Sequence, residues 1–280
     1  VPIQIPSGEY PIVSPSAIST LPFPSTHLVI SRDGDQIETV DAVTGQKSSG
    51  GSAVLSQLFR AVDLHADWTR DRVFLVEQGK VSIIRASRVA DRLHLAGARP
   101  DDPNHPDHRV IPAQTGINGK VAYNARLNIL YILEDQSNRI RAINPDTGEE
   151  IFGFESPAEL SRPSALAVNA YKGELYVAAL DGSEVLSLSA VSGELLSLAP
   201  LVSELAGVTQ IQVDDQLGLL FVLEQGAERL RVFSVQTGQP VAVPPLPEVP
   251  PAGLTIQLSS DVQDQMIEAA AWTALGELEQ

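Results

Sequence analysis

Turns of one chemistry recurring every 45 residues, short runs alternating apolar with polar residues between them, and a near-duplicated seven-residue stretch point to one fold class. They predict an all-β chain folded as a β-propeller of four-stranded blades. The turns are INPDTGEE around Gly148, LSAVSGEL around Gly193 and FSVQTGQP around Gly238. The duplicated stretch is VFLVEQG at 73–79 and LFVLEQG at 220–226, with ILYILED at 129–135 as a third version.

The units follow in order. Residues 1–24 hold six prolines, which favour an extended arm or edge strand over a central strand. The first unit is LVISRDGDQIETVDAVTGQ (28–46), and the second runs from Ala61 to about Leu95 without a closing turn glycine. AGARPDDPNHPDHRVIPAQ (96–114) reads as an inserted loop. The third unit is KVAYN, NILYILED, RIRAINPDTG and EEIFGFE. The fourth is ALAVN, ELYVAAL, EVLSLSA and ELLSLAP, and the fifth is IQVDD, LLFVLEQG, RLRVFSVQTG and QPVAVPP. Each run is closed by Gly, Asp or Asn, as a meander of short strands requires. VPPLPEVPPAG (243–253) is a stiff Pro-rich connector. Residues 254–280 read as closing strands or as a helix, since QMIEAAAWTAL is Ala-rich and preceded by the potential cap Asp261. Because ring closure pairs terminal segments, six blades are expected, the sixth assembled from both ends; five blades plus a C-terminal helix is the alternative.

Nineteen Lys and Arg against 35 Asp and Glu give a net charge of −16. Such a field repels phosphate backbones, so nucleic acid is not an expected partner. With no cysteine, disulfides, zinc–thiolate sites and thiol nucleophiles are excluded. No apolar run reaches the roughly 20 residues of a transmembrane helix. The chain starts at Val1 with no leader pattern, which suggests an exported, processed chain and equally suits a trimmed one. No Gly-x-Ser-x-Gly elbow, His-Glu-x-x-His, phosphate-binding loop or dinucleotide fingerprint is present.

LYILEDQSNRIRAINPDTGE at 130–149 resembles the NHL and YVTN class of propeller repeats, in which an apolar strand ends in an acid and an Asn-x-Arg-Ile stretch follows. LYVAALDGSEVLSLSAVSGE and LFVLEQGAERLRVFSVQTGQ are similar to it, and the resemblance spans roughly Leu28 to Pro240. It implies the fold and leaves activity open, because such propellers include binding and surface modules as well as metal-dependent lactonases and lyases.

Within that resemblance, Glu77, Glu134 and Glu224 hold the acidic position after the second strand, with Ser31 and Ala179 at the equivalent place in units one and four. Convergence at the channel would give a divalent cation such as calcium three carboxylates; otherwise each caps a turn in its own blade. A lactonase-like site would draw on Asn124, Asn169 and Asp214, whose recurrence at one repeat position equally fits turn formation. A second metal-ligand set is Asp101, His105, Asp107 and His108 in the inserted loop, where Pro103 and Pro106 restrict convergence. His27, His65 and His94 complete the histidines, and Trp68 and Trp272 read as blade core. No catalytic residue and no cofactor beyond such a cation is expected. The reading is a non-enzymatic module, extracellular, cell-surface or periplasmic, with protein partners that include copies of itself joined through Val1 to Pro24. A metal-dependent lactonase or lyase at the channel is the alternative.

Overall fold

Strands of five or six residues joined by tight turns find their nearest partner in the run that follows, so each unit closes on itself as an antiparallel meander. The structure is a computed structural model. It describes residues 17–20, 26–31, 36–41, 55–56 and, apart from 68–69, 90–91, 96–107, 117–118, 158–159, 180, 216, 225–226 and 228, residues 60–241. Eighteen strands and no α-helix occur among the described residues.

Blade 1 is β1 (Ala17–Thr20), β2 (Thr26–Ser31), β3 (Gln36–Asp41) and β4 (Leu55–Ser56), paired in that order. Blade 2 holds β5 (Ala61–Asp67), β6 (Arg72–Glu77) and the ten-residue β7 (Lys80–Val89). Its outer position is shared by β8 (Arg92–Leu95), which pairs with Ala86–Val89, and β9 (His108–Pro112), which pairs with Lys80–Ile84. Blades 3, 4 and 5 are β10 to β12 (Lys120–Asn124, Ile129–Glu134, Arg139–Ile143), β13 to β15 (Ala165–Asn169, Glu174–Ala179, Glu184–Ser189) and β16 to β18 (Val208–Asp214, Leu219–Glu224, Arg229–Ser234). In these three blades the bridges Ile143 to Glu150, Leu188 to Leu195 and Phe233 to Pro240 mark the fourth strand, each one repeat from the last.

The first strands stand side by side around an axis: β1 beside β5, β5 beside β10, β10 beside β13, and β13 beside β16. The sheets of blades 2, 3 and 4 therefore turn both faces to neighbouring blades. Leu130 and Ile132 of β11 pack with Phe74 and Val76 of blade 2, while Tyr131 and Leu133 pack with Leu175 and Val177 of blade 4. Tyr176 and Ala178 in turn pack with Leu220 and Phe233 of blade 5. Burial on both faces explains why β6 and β11 are buried throughout and, apart from Arg72, Glu77 and Glu134 at their ends, apolar instead of alternating.

Two expectations change in extent. Within the arm expected at 1–24, Ala17–Thr20 is the inner strand of blade 1, paired with His27–Ile30. Within the loop expected at 96–114, His108–Pro112 is a strand on the outer edge of blade 2, which supplies that blade's missing closure. The connector at 243–253 and the closing segment at 254–280 lie outside the described residues.

The turn glycines do more than supply a positive φ. Gly193 has φ +80 and a Cβ there would lie 2.0 Å from the carbonyl oxygen of Glu155, on the outer segment of blade 3. Gly238, with φ +68, stands in the same way against the carbonyl oxygen of Leu201 of blade 4. Each turn is thus pressed on the outer segment of the blade before it, where no side chain fits.

Candidate functional site

The repeated glutamates end the second strands of blades 2, 3 and 5, where the register sets them opposite Lys80, Arg139 and Arg229. Each is almost wholly out of water and is satisfied close to home. Glu77 accepts from Ser82 Oγ at 3.1 Å and faces Lys80 Nζ at 3.1 Å. Glu134 accepts from Gln114 N and from Arg141 Nη1, both at 3.1 Å. Glu224 accepts from Ala206 N at 3.0 Å, from Arg229 Nη2 at 2.9 Å and from Arg231 Nη1 at 3.3 Å. The last two acids join the loop that enters their own blade to its second and third strands. Burial alone would raise the Glu224 carboxyl; Arg229, Ala206 N–H and Arg231 override it and hold it below the ordinary 4.5.

Blade 4 tests this clasp internally. There the acid is Ala179, and the two arginine positions are Glu184 and Leu186. Where the glutamate is absent the arginines are absent too. The pairing Glu-x4-Arg-x-Arg in units three and five was visible in the sequence, and it carries the structural role of the acids.

The other sequence candidates separate similarly. Asn124 Oδ1 accepts from Arg126 N and Leu127 N at 3.1 and 3.0 Å, Asn169 Oδ1 from Lys172 N at 2.8 Å, and Asp214 Oδ1 from Leu217 N at 2.9 Å. They form turns, as one of the two readings expected. Asp101, His105 and Asp107 lie outside the described residues, and His108 opens β9. Among the described residues no group of three or more His, Asp or Glu stands where it would hold a metal ion.

Between the inner strands lies a cavity of about 170 Å³, lined by β5, β10, β13, β16 and Asp215. Its charged groups span adjacent blades. Asp63 Oδ2 accepts from Val121 N of blade 3 at 3.0 Å, and Asp215 Oδ2 from Ala170 N of blade 4 at 2.9 Å. Burial raises both carboxyls, opposed at Asp63 by the charge of Lys120 and at Asp215 by the Ala170 N–H bond. His65, stacked on Phe74 at 6.4 Å between ring centroids, is lowered by burial to about 4 against the opposing charge of Asp67.

One constellation had no signal in the sequence. Arg72, buried at the start of β6, donates through Nε to Asp67 at 2.9 Å, through Nη1 to Asp146 at 2.6 Å, and through Nη2 to Tyr123 Oη at 2.7 Å and Asn128 Oδ1 at 2.5 Å. Its guanidinium also lies 5.2 and 5.1 Å from the ring centroids of Phe74 and Tyr123. Asp67 belongs to blade 2 and the other acceptors to blade 3, so Arg72 is a latch between blades. Burial and the charge of Asp67 push the Tyr123 hydroxyl up to about 12.

No protein-family profile matches the chain, and no curated protein matches it in sequence. Solved structures do resemble it. The structure of a nidogen/laminin complex contains a chain that superposes with a TM-score of 0.56 at 15% identity, over 79% of each chain. A gluconolactonase from Xanthomonas campestris superposes with a TM-score of 0.57 at 16% identity, over 82% of this chain and 75% of that one. At these identities the likeness concerns the fold. The chain is a β-propeller repeat protein, and its structural neighbours are a chain of a nidogen/laminin complex and a gluconolactonase.

Proposed function

We propose that the chain is a non-enzymatic binding and assembly propeller that works outside the cytoplasm. One observation carries this reading: the acids that recur with the repeat are sunk in clasps within their own blades and are already neutralised by Lys80, Arg141, Arg229 and Arg231. They are spent on holding the blades together. The cavity of about 170 Å³ is also small beside the roughly 300–1,000 Å³ of ordinary small-molecule pockets. The nidogen/laminin neighbour supports protein partners as the ligand class and an extracellular setting. Among the described residues no helix is long and apolar enough to cross a membrane.

The assembly part of the reading places a sixth blade beside blades 5 and 1. Residues 242–280 together with 1–16 amount to 55 residues, enough for one further 45-residue unit. In an assembly, residues 1–16 of one copy add the strand that completes the sixth blade of the next, a donated-strand arrangement that makes an open, repetitive array. The lactonase reading is separated by an assay of the purified chain on simple lactones with added divalent metals. No turnover is expected, with metal content unchanged in Glu134→Gln. Metal-dependent turnover lost in that variant would overturn the proposal.

A further inference from the structure

We infer that the outer rim over the seam between blades 3 and 4 is a docking surface for a protein partner that presents apolar side chains flanked by Lys or Arg. The inference rests on the binding-module reading and gives it a place and a partner chemistry.

The outer segments of these blades alternate. Ile151, Phe154 and Leu195 pack on the core that the two blades share. Phe152 and Leu196 turn the other way and are 103% and 52% exposed. Leu198 follows at 97%, and Val191, on the turn of blade 4, at 61%. Isolated exposed apolar residues are ordinary, but a fully exposed phenylalanine, two exposed leucines and an exposed valine on two consecutive outer segments and the turn that joins them are a concentration that proteins usually cover.

The pieces belong to one rigid surface. Glu155 N donates to Ser192 O at 2.9 Å, and the carbonyl oxygen of Glu155 fills the space beside Gly193. Tyr131 of β11 donates its hydroxyl to Ala190 O across the seam at 2.5 Å. The turn carrying Val191 is therefore fixed on the segment that carries Phe152, so a partner meets side chains whose backbone is already ordered. Aromatic anchors of this type dominate binding energies where they become buried.

Charge selects the occupant. Glu155 and Glu194 are exposed on the same segments as Phe152 and Val191, and the whole chain carries −16. A second copy would bring the same acidic field to the contact, whereas a basic rim on the partner would meet it with opposite sign.

The test uses the full chain and a fluorescent peptide of alternating Lys and Leu, with alternating Glu and Leu as the control, read by anisotropy. The Lys-Leu peptide is expected to bind, and the double variant Phe152→Ser, Leu198→Ser to bind it about tenfold more weakly or less. Both replaced side chains are in water, so unchanged thermal unfolding of the variant shows that the fold is intact. The pair Glu155→Gln, Glu194→Gln is expected to weaken binding and flatten its salt dependence. No binding of the Lys-Leu peptide, or equal binding to wild type and the Phe152/Leu198 variant, would overturn the proposal. So would a drop in particle mass caused by that variant, because the occupant would then be a second copy. Assembly through residues 1–16 is read from the mass of a chain lacking them, so the two proposals fail separately.

Discussion

With its side chain wholly out of water, Glu224 keeps its charge because Arg229 and Arg231 lie at 2.9 and 3.3 Å and Ala206 N–H adds a third donor. Arg229 is itself 50% exposed and Arg231 28%, so both can rehydrate when the acid is lost. Glu224→Gln is therefore expected to cost about 1–3 kcal/mol in urea unfolding, short of the ~3–5 kcal/mol of a pair broken deep in a core. The converse change is more damaging. Ala179→Glu puts a buried carboxylate opposite Glu184, and adding Glu184→Arg should recover part of the loss in a double-mutant cycle. A depressed carboxyl stabilises the fold above its ordinary 4.5 and ceases to do so as pH falls through its lower folded value. His65 acts earlier in the same direction. Its folded value near 4 lies below the ordinary 6.5, so unfolding takes up roughly one proton between these limits. Stability is expected to fall on acidification across that window, and His65→Phe should flatten the slope there. Tyr123 works at the other end: with a folded value near 12, its contribution is present below its ordinary 10 and is lost as pH rises through 12.

At the scale of the element, the turn glycines separate two effects that the sequence merges. Gly173 has φ +68 with no atom within 4 Å of a Cβ, so Gly173→Ala meets only backbone strain, about 1 kcal/mol. Gly193 has a similar φ, yet its Cβ would lie 2.0 Å from Glu155 O, and the outer segment of blade 3 would have to move. Gly193→Ala is expected to lower the melting temperature clearly more than Gly173→Ala; equal losses would mean that the close approach is not a constraint. The strands and turns were legible because each repeats: Leu130, Leu175 and Leu220 start the same stretch three times. What does not repeat was hidden. Arg72 finds Tyr123, Asn128 and Asp146 only after blade 3 has folded beside blade 2, at separations of 51 to 74 residues. The strand β9 was hidden for a related reason, since its pairing with β7 crosses a Pro- and Asp-rich insertion that reads as loop. The clasps fall between these cases: Glu134 and Arg141 are close in sequence, but only the register shows that they meet. Arg72→Lys, which loses the planar fork, is expected to destabilise by about 2–4 kcal/mol in urea unfolding.

At the scale of the whole molecule, the described residues of blades 2 to 5 share their cores face to face with blade 1 beside blade 2, and the order of the inner strands from β1 to β16 sets the direction in which the ring is built. Because Ala17–Thr20 is committed to blade 1, the portion of the arm left for assembly is residues 1–16, and a deletion extended to Pro24 would remove a strand of the propeller itself. The appropriate comparison is thus the full chain against a chain that starts at Ala17, weighed by light scattering in solution. The full chain is expected as multimers and the shortened chain as single copies that retain the all-β circular dichroism of the propeller. A full chain that is already a single copy, or a shortened chain of unchanged assembly size, would contradict assembly through the arm.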